Sequence, residues 1–205
     1  MTVKYGMVLD LKRCLGCNAC TIACKAENSV PNGISWTETL SEEIGAYPNV
    51  TRVYVPTTCN HCEDAPCARV CPTTATYITD EGIVLVDDGK CIGCGACITA
   101  CPYKKRAKLK KETFIAGLHK NNEITPYEKQ GYPRFTVGTA VKCTFCHERV
   151  ADGLQPACVV TCPTEARVFG DLNDPDSQPR KLIQKRKGYQ ALAELNTKPK
   201  VFYVD

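Results

Sequence analysis

Sixteen cysteines in 205 residues fall into four groups of four, with none left over. The groups are Cys14, Cys17, Cys20, Cys24; Cys59, Cys62, Cys67, Cys71; Cys91, Cys94, Cys97, Cys101; and Cys143, Cys146, Cys158, Cys162. The last gap in each group is three residues, and three groups end in Cys-Pro, at Cys71-Pro72, Cys101-Pro102 and Cys162-Pro163. A [4Fe–4S] cubane takes four thiolates, and C-x2-C-x2-C-x3-C-P is the bacterial run that supplies them. The arithmetic gives four cubanes, and four cubanes point to electron transfer.

Two other uses of the cysteines compete. Eight disulfides would need an oxidising compartment, and neither the start MTVKYGMVLDLKRC nor the tight C-x2-C clustering suits that. Zinc is the better rival, because a four-cysteine zinc site joins two C-x2-4-C knuckles by a spacer. Cys143-x2-Cys146-x11-Cys158-x3-Cys162 could pass for one. The first and third groups fit poorly, since each packs three cysteines into seven residues. In two-cluster ferredoxins the fourth cysteine of a run ligates the other cluster and ties the two together. Groups two and three lie close in sequence and form one such pair, leaving groups one and four as the other. Tyr77 to Asp87 (YITDEGIVLVD) reads as strand, turn, strand, with Asp80-Glu81-Gly82 at the tip.

The elements that must hold these thiols are modest. Hydrophobic content is 43%, so clusters would add the cross-linking that a small core lacks. No apolar run reaches the ~18 residues that suggest a membrane span. Net charge is +4, with Lys+Arg and Asp+Glu at 7 and 11 in residues 1–100 but 19 and 11 in residues 101–205. The excess sits in KKRAKLKK (104–111) and RKLIQKRK (180–187), read as a solvated loop and a solvated helix face. Nucleic acid is disfavoured, since no aromatic-interleaved or helix-turn-helix pattern accompanies the charge. There is no Walker loop, no dinucleotide fingerprint after a strand and no nucleophile–base pairing.

Four stretches, 6–28, 59–75, 82–103 and 142–175, carry all sixteen cysteines and about half the chain. In order and spacing they closely resemble the iron–sulfur (beta) subunits of molybdopterin oxidoreductases, the dimethyl sulfoxide reductase superfamily. The resemblance implies the wiring. Cys14, Cys17 and Cys20 would share a cluster with Cys162, and Cys24 would join Cys143, Cys146 and Cys158. Cys59, Cys62 and Cys67 would pair with Cys101, and Cys71 would complete the site of Cys91, Cys94 and Cys97. Some relatives carry Trp at the second position of the third group and a [3Fe–4S] cluster there. Here that residue is Cys94, so four [4Fe–4S] clusters are expected. One departure is Lys104 to Thr139, longer than in the shortest relatives.

Smaller features have structural readings beside functional ones. His61 and His147 flank cluster ligands and could donate to sulfur, but a water-facing loop position is the simpler reading. Gly16, Gly93 and Gly95 would let backbone N–H groups approach the sulfurs, while Ile22, Val70, Ile92 and Ile98 would exclude water. Lys25, next to a ligand, would either raise a potential or point outward. Trp36 is expected to pack, and Lys181 to Leu195 has helical spacing, followed by the strand KVFYV (200–204).

The expected fold is α+β: two interlocked bacterial ferredoxin-like units with loop-rich connections. Residues 1–55 plus 136–180 would form the outer unit, 56–135 the inner unit, and 181–205 a C-terminal helix and strand for docking or structure. The resemblance implies a non-catalytic electron-transfer subunit of a prokaryotic anaerobic respiratory complex. It would link a molybdopterin catalytic subunit to a quinone-linked membrane anchor. A free-standing polyferredoxin is the alternative. The chain would reach the membrane through partners, with co-export to the periplasm alongside the catalytic subunit favoured, the cytoplasmic face the alternative, and no signal peptide of its own.

Overall fold

The computed structural model describes residues 2–110 and 125–205. Of the basic run 104–111, Lys111 lies outside the described residues, as does the middle of the Lys104–Thr139 stretch. The organising strand is β1 (Tyr5–Asp10), whose Met7, Val8 and Leu9 are wholly buried. A strand covered on both faces reads as a continuous apolar run, and GMVL does so. β1 is the centre of a three-stranded sheet. β8 (Arg167–Asp171) pairs with it antiparallel and β9 (Val201–Val204) parallel, which brings both ends of the chain to one place.

Helix α1 (Ala19–Asn28) buries Cys20, Cys24 and Asn28. Those residues are four apart and therefore share one helix face. The helix is entered and left through left-handed residues, Asn18 at φ 59° and Ser29 at φ 48°. After it comes a hairpin of two ten-residue strands, β2 (Thr37–Ala46) and β3 (Asn49–Thr58). Its base is buried at Thr37 and Thr58, and Tyr47 at the tip is 94% exposed. Trp36, just before β2, is buried and packs edge-on against Phe135.

The expected strand–turn–strand is present as β4 (Thr76–Ile78) and β5 (Val84–Val86), paired antiparallel. Gly82 turns the chain at φ +78°. The backbone N–H of Tyr5 donates to the Glu81 carbonyl at 3.0 Å, and the buried Lys200 Nζ donates to that of Gly82. The hairpin turn is thus tied to the central sheet.

Short helices carry the other cysteine runs: α2 (Pro66–Arg69), α3 (Ala96–Thr99), α5 (His147–Ala151) and α6 (Ala157–Val160). Between them stand the two-residue strands β6 (Ala107–Lys108) and β7 (Ala140–Val141), paired with each other, and α4 (Pro126–Gly131) with a Thr125–Glu128 capping box. The C-terminal helix is shorter than its apolar spacing suggests. α7 spans Gln178–Lys185, capped by Ser177. It cannot run on to Leu195 because Lys187 takes φ 50° and Gly188 follows. The Asp10 carboxylate, 1% exposed, is held by the Arg186 guanidinium through both nitrogens and by the Arg13 backbone N–H. This contact locks the end of α7 onto β1.

Candidate metal centres

The structure gathers the sixteen cysteines into four sets. Cys14, Cys17, Cys20 and Cys162 line one small cavity, closed by Thr39, Pro56 and Arg167. Cys24, Cys143, Cys146 and Cys158 line a second, closed by Met7, Trp36, Thr58 and Phe145. Cys59, Cys67 and Cys101 crowd the thiol of Cys62 and make the third. Cys71, Cys91, Cys94 and Cys97 line the fourth, beside Thr76 and Ala140. These are the sets that the sequence resemblance implies. Among the described residues, no three Cys, His, Asp or Glu side chains form a site for a single metal ion.

The helix geometry explains how one run feeds two sets. Four residues of α-helix rise about 6 Å, and α1 carries the chain from Cys20 in the first set to Cys24 in the second. Two glycines are needed in the loops. Gly16 has φ +67°, and a Cβ there would lie 2.3 Å from the Tyr54 ring. Gly93 has φ +65°, and its Cβ would meet the Gly138 carbonyl oxygen at 2.0 Å. Close packing, against the Tyr54 ring for Gly16 and the Gly138 carbonyl for Gly93, demands both.

Donors point at the sulfurs. Backbone N–H groups of Thr76, Phe145 and Ala166 reach Cys71, Cys143 and Cys162 Sγ at 3.5, 3.4 and 3.3 Å. The hydroxyls of Thr73 and Thr164 lie 3.8 Å from the thiols of Cys71 and Cys162, at matching places in Cys-Pro-Thr. Burial pushes those two thiols up, but these donors win and hold both below the ordinary value. Asn28 Nδ2 reaches Cys146 Sγ at 3.6 Å and Cys24 Sγ at 3.8 Å. Elsewhere burial dominates. It raises Cys62 and Cys143 to about 11 and Cys158 to about 12, and neighbouring thiols add to the rise. Cys24 is raised further by burial and by Cys143, Cys158 and Cys146. Iron binding as thiolate must therefore displace protons.

Burial differs between the sets. All four cysteines of the second set are buried, as are Cys59, Cys62 and Cys67 of the third. The first and fourth sets each present one exposed cysteine, Cys17 and Cys94. Beside them sit Leu15 and Ile92, 63% and 68% exposed, in the matching loops Cys-Leu-Gly-Cys and Cys-Ile-Gly-Cys. The water-excluding role expected of Ile22, Val70 and Ile92 is not met, because all three are exposed in this chain. The apolar cover comes instead from Met7, Leu9, Trp36, Phe145 and Phe169.

Several polar residues depart from their sequence readings. His61 does not face water. It is wholly buried, its ring stacks on Phe145 at 3.7 Å, and its Nδ1 accepts from the Val84 N–H at 3.1 Å. Burial, then the cations of Lys142, Lys200 and Arg106, hold its pKa well below the usual value. His147 is partly exposed and lies 3.2 Å from Glu148. Lys25 points neither outward nor at a sulfur. Its ammonium donates to the carbonyls of Pro31 and Ile34.

The basic run 104–111 is only in part the solvated loop expected: Lys104, Lys108 and Lys110 are exposed, whereas Lys105 and Arg106 are drawn in. Lys105 pairs with Glu38, Lys108 donates to the Gly93 carbonyl, and Arg106 is 7% exposed. Arg106 and Arg167 are a pair that the charge count hides. Each is the fifth residue after the last cysteine of a run, in Cys101-Pro102-x3-Arg106 and Cys162-Pro163-x3-Arg167. Each donates to a buried threonine at the start of a strand, Arg106 to Thr76 at 3.0 Å and Arg167 to Thr37 at 2.8 Å.

The fold and the cysteine cages define an iron–sulfur protein, and comparison with known proteins agrees. A 4Fe-4S dicluster domain matches residues 50–120 and again 107–172. Over 98% of its length the chain is 40% identical to the arsenate respiratory reductase iron–sulfur subunit of Shewanella sp. (strain ANA-3), covering 96% of it. It is 43% identical to a selenate reductase subunit of Mesobacillus selenatarsenatis over 98% of the chain and 72% of that protein. A polysulfide reductase chain of Wolinella succinogenes is 37% identical over 100% of the present sequence and 95% of its own. The protein belongs to the iron–sulfur (beta) subunits of the dimethyl sulfoxide reductase superfamily of molybdopterin oxidoreductases. No helix among the described residues is long and apolar enough to cross a membrane.

Proposed function

We propose that this chain is a non-catalytic electron-transfer subunit holding four [4Fe–4S] clusters, one in each cysteine set. The observation that carries the reading is the convergence of all sixteen cysteines into four fours. The orphaned nitrogens of Arg106 support it. Nε and Nη2 are buried and find no oxygen or nitrogen acceptor among the described residues, and the guanidinium lies beside the thiols of Cys67, Cys97 and Cys59. A buried cation of that kind needs anionic acceptors, and thiolate-bound clusters supply them. When bound, each cubane takes up and releases one electron.

The chain's own residues do the rest. Cysteines fix the positions, backbone and threonine donors stabilise sulfur charge, and the apolar core keeps water from the second and third sets. The sets form a line. Arg167 faces cysteines of the first and second sets, Cys59 of the third crowds Cys143 of the second, and Arg106 faces the third and fourth. Exposed Cys17 and Cys94, each with an exposed apolar neighbour, mark the two ends where electrons enter and leave. Two interlocked ferredoxin-like units, 1–55 with 136–180 and 56–135, hold two clusters each, and 181–205 completes the sheet.

The partners are a molybdopterin catalytic subunit at one end and a quinone-linked membrane anchor at the other. The relatives named as reductase subunits support this assignment. The complex works in anaerobic respiration, bound to the membrane through its partners. Isolation of the native chain tests the reading. A brown chain that co-purifies with a much larger molybdopterin-containing subunit is expected. A brown monomer that alone reduces several unrelated oxidoreductases would establish a free-standing polyferredoxin instead.

A further inference from the structure

Three buried cations stand between the four cysteine sets, one in each gap. Arg167, 3% exposed, lies against Cys158 and Cys143 of the second set and Cys20 of the first. Lys142, 2% exposed, adjoins Cys143 of the second set and Cys67 of the third. Arg106, 7% exposed, lies against Cys67 and Cys59 of the third set and Cys97 of the fourth. Their hydrogen bonds hold them in place: Arg167 on Thr37, Lys142 on the Cys143 carbonyl at 2.6 Å, Arg106 on Thr76.

Among the described residues, no carboxylate lies within ion-pair distance of any of the three, although ten Lys or Arg side chains pair with carboxylates elsewhere. A buried charge left unpaired is strongly destabilising. Its counter-charge must come from what the cysteines hold. Four thiolates and four sulfides outweigh the iron charge, so a cubane is anionic, and more so after it gains an electron. A fixed cation in a low-dielectric gap favours the reduced form of each neighbour.

We propose that Arg167, Lys142 and Arg106 are electrostatic positioning residues of the relay, each raising the electron affinity of the two clusters that flank it. The inference rests on the four-cluster reading. It adds a nearest-neighbour rule: each cation acts on two adjacent clusters and leaves the distant ones alone. Arg106 and Arg167, at matching places after a Cys-Pro, serve the gap inside each cluster pair. Lys142 serves the gap between pairs.

The test is a potentiometric titration of the cluster-loaded protein followed by electron paramagnetic resonance. Arg167→Gln, Lys142→Met and Arg106→Gln each remove one charge. Each is expected to lower the electron affinity of its two neighbours by tenfold or more, about 59 mV per tenfold for a one-electron couple. Shifts for Arg167→Gln should fall on two clusters and those for Arg106→Gln on the other two. Lys142→Met should shift one of each. Unchanged potentials, or an equal shift of all four clusters, would overturn the proposal while leaving the four-cluster reading intact. A wild-type protein with fewer than four titrating clusters would instead overturn that reading. Where a charge-removing variant loses clusters, Arg106→Lys and Arg167→Lys carry the test. With the charge kept, both neighbours should stay within tenfold of wild type, and a larger fall would refute an electrostatic role.

Discussion

Replacing Phe145 by alanine removes a ring that closes the second cysteine set and stacks on His61, the neighbour of Cys62. Phe145 is 1% exposed. It stacks on His61 with ring centroids 3.7 Å apart and meets Phe169 edge-on at 5.2 Å. Truncating a fully buried Phe costs about 3–5 kcal/mol, part of it the cavity left behind. Each of these ring pairs contributes about 0.5–1.5 kcal/mol beyond area burial. Phe145 has φ 55°, a left-handed conformation that phenylalanine and alanine tolerate equally poorly. The backbone therefore drops out of the comparison. For a chain of this size each kcal/mol moves the melting temperature by about 2–4 °C, so the expected fall is roughly 6–20 °C. The assay is anaerobic calorimetry of the cluster-loaded protein, with cluster absorption followed in parallel. Phe145→Leu, which keeps most of the volume, should fall by less. Tyr47→Ser, at a position 94% exposed, should move by no more than ~2 °C. A Phe145→Ala protein melting within 2 °C of wild type, or above Phe145→Leu, would refute the claim that this ring anchors the core around the second set.

Gly16→Ala combines a left-handed φ with a 2.3 Å clash on Tyr54. It should lose about a quarter of the bound iron, the share of one cluster in four, by metal analysis. Asp10→Ala strips the buried partner from Arg186. It should cost about 2–4 kcal/mol and open the segment after Lys185 to limited proteolysis before any other site. Cys94→Ala should convert one cubane to a [3Fe–4S] form, or delete it, and leave three unchanged by paramagnetic resonance. Burial first, and neighbouring thiols next, raise Cys62 and Cys143 to about 11 and Cys158 to about 12, so these groups are protonated in the metal-free chain at neutral pH. Cluster insertion should release their protons and weaken as pH falls, which a pH-stat during reconstitution would record.

The candidate ligands are legible in the sequence because C-x2-C spacing is a local feature. Which run completes each set is not local, since Cys24 leaves Cys20 for the set of Cys143 while Cys162 joins Cys14, and only the family resemblance implies that wiring. The strand–turn–strand at 76–86 is legible because it too is local, with Gly82 supplying the turn. What escapes is what burial decides. Arg106 sits in a run that counts as surface charge, and only the repeat of Cys-Pro-x3-Arg at 101–106 and 162–167 could have exposed it. His61 reads as a loop residue until Phe145, 84 positions away, is seen against it. Ile22, Val70 and Ile92 look like cover for clusters yet lie on the outside. The helix expected to reach Leu195 stops at Lys185, because apolar spacing does not sense a left-handed Lys187. The long β2–β3 hairpin, mostly exposed, carries no strong period that would have announced it.

The most direct measurement is the iron, acid-labile sulfide and zinc content of anaerobically isolated protein, read with its visible spectrum. About sixteen iron and sixteen sulfide per chain, from four cubanes of four, and a brown colour that bleaches on reduction are expected. About four zinc per chain in a colourless protein, or only half that iron, would contradict the four-cluster reading.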